Sequence, residues 1–375
     1  MAQATVKQLS FDKPLTIQDL RRAIPVYGKT ITPIIQSEPG CGKSSLLAMI
    51  AEDFGDEWRK AGDNFADDKY DYIYVDCPCK TIPDIGMSIP VHDSKSLEFY
   101  AAELFMLHSK KRKVIMLDEM MKSPKMLQIM FTRLMLERMA GDRHITYGSI
   151  VFATSNNESD NVGDGMLAHA GNRVMKLSMM KPDARQWLVW AGANGIARSI
   201  RAWVAMNSRC LASYRDAGQE DNPYIFRPNN GVLSFVSPRS LAKANVVAEN
   251  REKLGNYITE AALAGTIGAS AAGDMAAFFV LEKEVIPTKD VIANPLSIAM
   301  PEKPAALFMM IFNALDDIQT QDDLTGFMQF VNRIASDEVR TIFFTILMGN
   351  PRTMKIGKNN EQVKTWAKDN IQLLG

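Results

Sequence analysis

Ser37-Glu38-Pro39-Gly40-Cys41-Gly42-Lys43-Ser44 lies between residues 30–36 (TITPIIQ), which read as a buried strand, and residues 44–54, where Leu46, Leu47, Ile50 and Phe54 recur at helical spacing. Strand, glycine-rich turn and helix in that order are the context a phosphate-binding loop requires. The glycines let backbone N–H groups turn inward toward phosphate oxygens, and the helix N-terminus adds positive potential. Lys43 is placed to reach the β- and γ-phosphates of ATP, and the Ser44 hydroxyl to ligate Mg²⁺. The nucleotide-contacting candidates are Glu38, Pro39, Gly40, Cys41, Gly42, Lys43, Ser44 and Ser45. Ser37 stands where such loops usually carry their first glycine; it ends the strand and is expected to contribute least to the cradle. The Cys41 thiol, beside a helix N-terminus, is expected to be a stabilised and reactive thiolate if accessible.

A second motif, Val114-Ile115-Met116-Leu117-Asp118-Glu119, is a continuous apolar run ending in two carboxylates. Such a run suits a strand in the middle of a sheet covered on both faces. Its end places Asp118 and Glu119 at the carboxyl edge of the sheet, beside the phosphate loop. There Asp118 would hold Mg²⁺, mostly through water, and Glu119 would orient and polarise an attacking water as the catalytic base. Both carboxylates together point to hydrolysis rather than to nucleotide binding alone. Residues 150–154 (IVFAT), followed by Ser155-Asn156, end a further strand. Asn156 there can hydrogen-bond the γ-phosphate and the lytic water, or simply close an Asx turn.

Outward from these motifs, residues 72–76 (YIYVD) and 173–179 read as strands, and residues 96–108 and 124–139 as helices. Short β-rich runs alternating with helical patterns are the signature of an α/β fold, a mostly parallel sheet wrapped by helices. After Lys181-Pro182 the pattern turns helical, over residues 183–193, 196–206 and 239–254, with a polar loop at 214–231. Residues 261–277 are rich in Ala and Gly, which suits close helix packing. Prolines at 287, 295, 301 and 304 mark a linker before helical segments at 305–318, 322–335 and 338–348. A chain of 375 residues suits two or three domains, and 46% hydrophobic with 23% charged residues is the balance of a soluble globular protein. Its 43 basic and 43 acidic side chains cancel, which argues against whole-molecule attraction to nucleic acid or to an anionic membrane. No run of about eighteen apolar residues suggests a membrane span, and residues 1–20 lack the apolar core of a signal peptide. Four cysteines (Cys41, Cys77, Cys79, Cys210) do not make a disulfide framework, so a cytoplasmic protein with reduced thiols is expected.

These motifs in this order, followed by Ala168-His169-Ala170-Gly171-Asn172-Arg173-Val174 and Ser237-Pro238-Arg239-Ser240-Leu241-Ala242, resemble the MoxR group of AAA+ ATPases, in particular the variants carried by bacteriophages and prophages. The resemblance spans roughly residues 15–280. It implies an α/β ATPase core over residues 1–180, an α-helical lid over 181–285, and assembly into a ring, usually of six subunits, with ATP at the junctions. Residues 286–375 lie beyond it and are expected to form a helical C-terminal extension. Carried over by position, Asn156 matches the first sensor and Arg239 the second sensor, on the lid. Arg173, in Asn-Arg-Val where relatives have Asp-Arg-Phe, matches the arginine offered to the neighbouring subunit's γ-phosphate. A guanidinium stabilises charge on a transferring phosphoryl group and can couple nucleotide state to lid angle.

Residues 83–93 (PDIGMSIPVHD) fall where this group inserts a small element into its second helix; they are either a pore-facing loop that touches substrate or an ordinary long connection. MoxR relatives often work with a partner carrying a von Willebrand factor A domain, so such a partner, and remodelling of a protein client, are the expectation. A nucleic-acid motor or loader and a nucleotide-gated scaffold without turnover are the alternatives. The basic run at residues 109–113 (SKKRK) is expected to be a solvated turn, and the methionines between Met116 and Met139 to pack in the core. Tyr224, Phe226 and Arg227 are expected to pin their loop to the lid.

Overall fold

A strand whose side chains are apolar on both sides needs cover on both faces, and the computed structural model, which describes residues 13–54, 70–157, 172–228 and 231–370, provides it. The chain divides into two compact units, Met1–Lys181 and Pro182–Gly375. In the first unit the strands are β1 (Pro33–Ser37), β2 (Tyr70–Asp76), β3 (Gly86–Val91), β4 (Ser96–Ala101), β5 (Arg112–Asp118), β6 (Met139–Ala140), β7 (Arg143–His144), β8 (Ile150–Asn156) and β9 (Met175–Ser178). Among the described residues, five of them form one parallel sheet in the order β2-β5-β8-β1-β9. Among the described residues three helices accompany it: α1 (Ile17–Tyr27), α2 (Leu46–Asp53) and α3 (Lys125–Glu137).

The two-residue period of the strands sorts their side chains between two cores. Val114 and Met116 of β5, with Ile150 and Phe152 of β8, pack with Leu20 and Ile24 of α1 and with Leu46, Leu47 and Ile50 of α2. Ile115 and Leu117, with Val151 and Ala153, pack with Leu127, Phe131 and Leu134 of α3. Met116, Met120, Met121 and Met135 are buried, as core packing requires, whereas Met126 is exposed.

Parallel register brings the strand ends into line. Asp76 pairs with Asp118, Leu117 with Ala153, and Ser37 with Asn156, so four polar residues close one edge of the sheet. The Asn156 strand, β8, lies next to the Asp-Glu strand and between it and the loop strand β1.

Two expectations in this unit are overturned. Residues 96–108 are not a helix: β4 pairs antiparallel with β3 in a hairpin, followed by a short 3₁₀ turn, Glu103–Phe105. Leu97, Tyr100, Ala101, Leu104 and Leu107 happen to fall at helical spacing, but Leu97 and Tyr100 are exposed on the hairpin while Phe105 enters the core. The basic run is not wholly solvated either, because Lys113 is fully buried and pairs with Asp71 at 3.3 Å.

The second unit is helical: α4 (Ala184–Ala193), α5 (Arg198–Met206), α6 (Pro238–Ile267), α7 (Ala269–Glu284), α8 (Thr288–Ala293), α9 (Pro304–Asp317), α10 (Gln321–Val331), α11 (Asp337–Gly349), α12 (Pro351–Gly357) and α13 (Glu361–Asp369). Helix α9 is apolar nearly all round and occupies the centre, with Phe308 to Phe312, Ala314 and Leu315 buried. Helix α5 packs on it, with Arg201 over the Phe312 ring and paired with Asp316, and one core runs from Ala184 to Val363. Residues of the expected lid (181–285) and of the expected extension (286–375) both contribute to that core. The proline-marked linker is likewise packed: Pro287 precedes α8, whose Val291 is buried, and Pro304 opens α9 at a position where a missing N–H costs nothing. The loop at 214–228 is pinned as expected, by Tyr224 edge-on to Trp203, the Tyr224 hydroxyl on Asp274 at 2.6 Å, and Arg227 donating to the carbonyls of Gln219 and Asn222. Among the described residues no helix is long and apolar enough to cross a membrane.

Candidate functional site

The loop after β1 turns on two glycines in left-handed conformation, Gly40 at φ 77° and Gly42 at φ 94°. A Cβ on Gly42 would meet nothing closer than 3.7 Å, so the backbone angle, not space, demands glycine there. A 3₁₀ turn, Lys43–Ser45, leads into α2. Loop N–H groups turned inward and a helix start make an anion cradle.

Lys43 is buried, and its ammonium donates to four oxygens: the Ser37 carbonyl (3.1 Å), the Ser37 hydroxyl (3.0 Å), the Glu38 carbonyl (3.0 Å) and Asn156 Oδ1 (3.1 Å). Ser37, expected to matter least, thus holds the key lysine through two atoms. Asn156, the last residue of β8, is buried and occupied by Lys43 rather than closing a turn.

Asp118 gathers three hydroxyls. Ser44 donates to its Oδ2 at 2.9 Å, Tyr74 to the same oxygen at 2.7 Å, and Thr154 to Oδ1. Burial, and then the Asp118 hydrogen bond, push the Tyr74 phenol well above its ordinary range, so it stays a donor. Ser44 and Asp118 present converging hard oxygen donors, the set that Mg²⁺ takes, and so the residues fit that ion. Glu119 follows in left-handed conformation (φ 50°), a strained position for a residue with a side chain. Its N–H donates to Thr154 Oγ1 at 3.1 Å, and its carboxylate pairs with Lys122 at 2.5 Å. The strain turns the chain sharply at the sheet edge and keeps the Glu119 side chain part-exposed beside Asp118.

Cys41 contradicts the expectation of a reactive thiolate. It is 1% exposed, and burial pushes its thiol up to about 11, outweighing the lowering pull of Lys181 and Lys43. Glu38 is also buried, with its carboxylate 3.6 Å from the Lys181 ammonium.

The structure brings Lys43, Ser44, Asp118, Glu119 and Asn156 to one edge of the sheet, and within that unit leaves Arg173 elsewhere. Arg173 is exposed in the turn before β9. Since Met175 pairs with Pro33 at the start of β1, Arg173 stands at the amino edge of the sheet, on the order of 15 Å from the loop. The residues 168–171 that precede it in the motif lie outside the described residues. Arg239 belongs to the second unit, exposed on the first turn of α6, which Ser237 and Ser240 close as a capping box. Sequence reasoning missed Tyr74, Thr154 as a partner of Asp118, and Lys181. A signal existed for Thr154, two residues before Asn156; Tyr74 and Lys181 are tied to the site only through sheet pairing.

No protein-family model matches the chain, and no curated protein matches it in sequence. Similar solved structures include an inferred ATPase of Cytophaga hutchinsonii, 15% identical over 94% of this chain and 88% of that one, with a TM-score of 0.33. The Thermotoga maritima RuvB Holliday junction branch migration motor is 11% identical over 75% of each chain, at 0.36. Brucella abortus NtrX in complex with ATP is 11% identical over 97% of this chain and 70% of that one, at 0.34. At such scores these likenesses decide nothing about substrate or assembly.

Proposed function

We propose that this chain binds ATP with Mg²⁺ and hydrolyses it, as a ring-forming AAA+ ATPase of the MoxR type. What supports the reading is the convergence of Lys43, Ser44, Asp118 and Asn156 around a glycine-turned loop at the carboxyl edge of a parallel sheet. Ser44 and Asp118 would hold Mg²⁺, which when bound neutralises phosphate charge. Lys43 exchanges its loop carbonyls for phosphate oxygens, and Asn156, released from Lys43, is free to orient water. Glu119 leaves Lys122 to accept a proton from that water. Arg173, remote from its own loop, is the group offered to a neighbour, and Arg239 is the arginine of the helical unit that answers to the γ-phosphate. The client is a protein in this reading, reached through the exposed Met87, Ile89 and Tyr100 of the β3–β4 hairpin, and the partner to seek first carries a von Willebrand factor A domain.

One assay of phosphate release tests the chemistry. Glu119→Gln binds ATP and turns over about a hundredfold or more slowly. Arg173→Ala and Lys43→Ala, each inactive alone, recover activity when their subunits exchange. Near-native turnover by Glu119→Gln removes it as the base, and exchanged mixtures no more active than their parts refute the assignment of Arg173. ATP turnover that needs DNA, with no retained protein client on the Glu119→Gln trap, turns the reading toward a nucleic-acid motor.

A further inference from the structure

The phosphate loop carries a carboxylate of its own. Glu38 directly follows β1, is 4% exposed, and lies among the residues expected to wrap an anion. A buried carboxylate beside a triphosphate repels it and is costly unless compensated. The compensation is local and built by the sheet. Strand β9 neighbours β1, and the Met179 N–H donates to the Gln36 carbonyl at 2.8 Å, which brings the chain after β9 alongside the loop. Two residues on, Lys181 places its ammonium 3.6 Å from Glu38 Oε2, and both side chains are about as buried as a core residue, at 4% and 5% exposed. Cys41, in the middle of the loop, senses Lys181 and Lys43 as positive and Glu38 as negative. The Lys43 and Lys181 ammoniums and the Glu38 carboxylate thus all act on the turn that an anion would occupy.

We propose that Lys181 is the counter-charge that lets the phosphate loop accept a triphosphate, neutralising Glu38 so that the loop's charge stays positive. The inference rests on the nucleotide reading above and adds a residue to it. Lys181 acts through Glu38 and is a positioning residue. Its effect is graded by phosphate charge, which distinguishes it from an ion pair that merely holds the loop's shape.

The test is titration calorimetry of the full chain with ATP, ADP and AMP in the presence of Mg²⁺. Lys181→Met removes the counter-charge beside Glu38, and ATP affinity falls about tenfold or more, ADP affinity less, and AMP affinity hardly at all. Glu38→Gln, nearly isosteric, moves the other way, tightening ATP by about threefold to tenfold because a negative charge beside the phosphates is removed while that of Lys181 stays. The double variant returns near wild type. A shape-holding pair gives both single variants the same sign and no grading, and that pattern overturns the proposal. Should Lys181→Met fail to fold, Glu38→Gln alone decides: unchanged or weaker ATP binding overturns the inference. A wild-type chain that binds none of the three nucleotides overturns the nucleotide reading and this inference together, whereas wild-type binding with an ungraded response overturns the inference alone.

Discussion

Lys113 and Lys43 are buried at opposite ends of the same sheet, and they are held differently. Lys113, near the start of β5, is fully buried; it faces Asp71 one strand over and also donates to the carbonyls of Ser109 and Lys111. Lys43, past the end of β1, donates to two carbonyls, a hydroxyl and an amide oxygen. At the amino edge a full opposite charge closes the site; at the carboxyl edge carbonyl, hydroxyl and amide oxygens hold an ammonium that an incoming anion can take from them. Lys113, given a carboxylate, serves the fold, and Lys43, held by loop oxygens, is kept ready for an anion.

The comparison breaks most visibly at Lys113. Lys113→Met strands the Asp71 carboxylate in the core, and stability of the first unit should fall by about 3–5 kcal/mol. Denaturant unfolding followed by circular dichroism reads this, and Asp71→Asn combined with Lys113→Met should recover much of the loss. A drop below about 1 kcal/mol would mean that the pair contributes no more than an exposed one. Lys43→Ala should do the reverse: ATP affinity falls about a hundredfold or more, which corresponds to about 2.7 kcal/mol, while the unfolding midpoint barely moves. A large loss of stability with little change in ATP affinity would make Lys43 a structural lysine like Lys113.

The contrast also explains what could be read without coordinates. Val114 to Leu117 announce a strand covered on both faces because apolar side chains on both sides admit no other place, and the glycine turn before Lys43 is a local motif. What depends on pairing across the chain was hidden. The burial of Lys113 follows from Asp71, 42 residues away, so within its own basic run it reads as solvated. The β3–β4 hairpin was misread as a helix because five apolar residues matched a 3.6 period by coincidence. Its turn, with Lys95 in left-handed conformation, carries no glycine or asparagine to announce it. Tyr74 and Lys181 join the site only because β2 and β9 lie where they do in the sheet. Prolines that open helices and prolines that mark linkers likewise look alike until α9 is seen at the centre of the core.

Cys41 gives the smallest effect at neutral pH and the finest test of how closed the loop is. A helix start and two nearby ammoniums favour a thiolate, while burial of a 1% exposed sulfur opposes it, and burial wins, at about 11 against an ordinary 9.0. Alkylation at pH 7.5 should therefore be slower than that of glutathione, and its rate should climb about tenfold per pH unit toward pH 11, because the thiolate is the nucleophile. The sign for stability follows from the same shift. The unfolded thiol ionises from about pH 9 and the folded one from about 11, so the unfolded chain binds fewer protons between them. The contribution is constant below pH 9 and stability is lost as pH rises toward 11. Cys41→Ala should keep its ATPase activity and lose that slope. Mass spectrometry of iodoacetamide labelling across a pH series reads the thiol directly; labelling of Cys41 at neutral pH as fast as glutathione would show that the loop opens readily enough to ionise it.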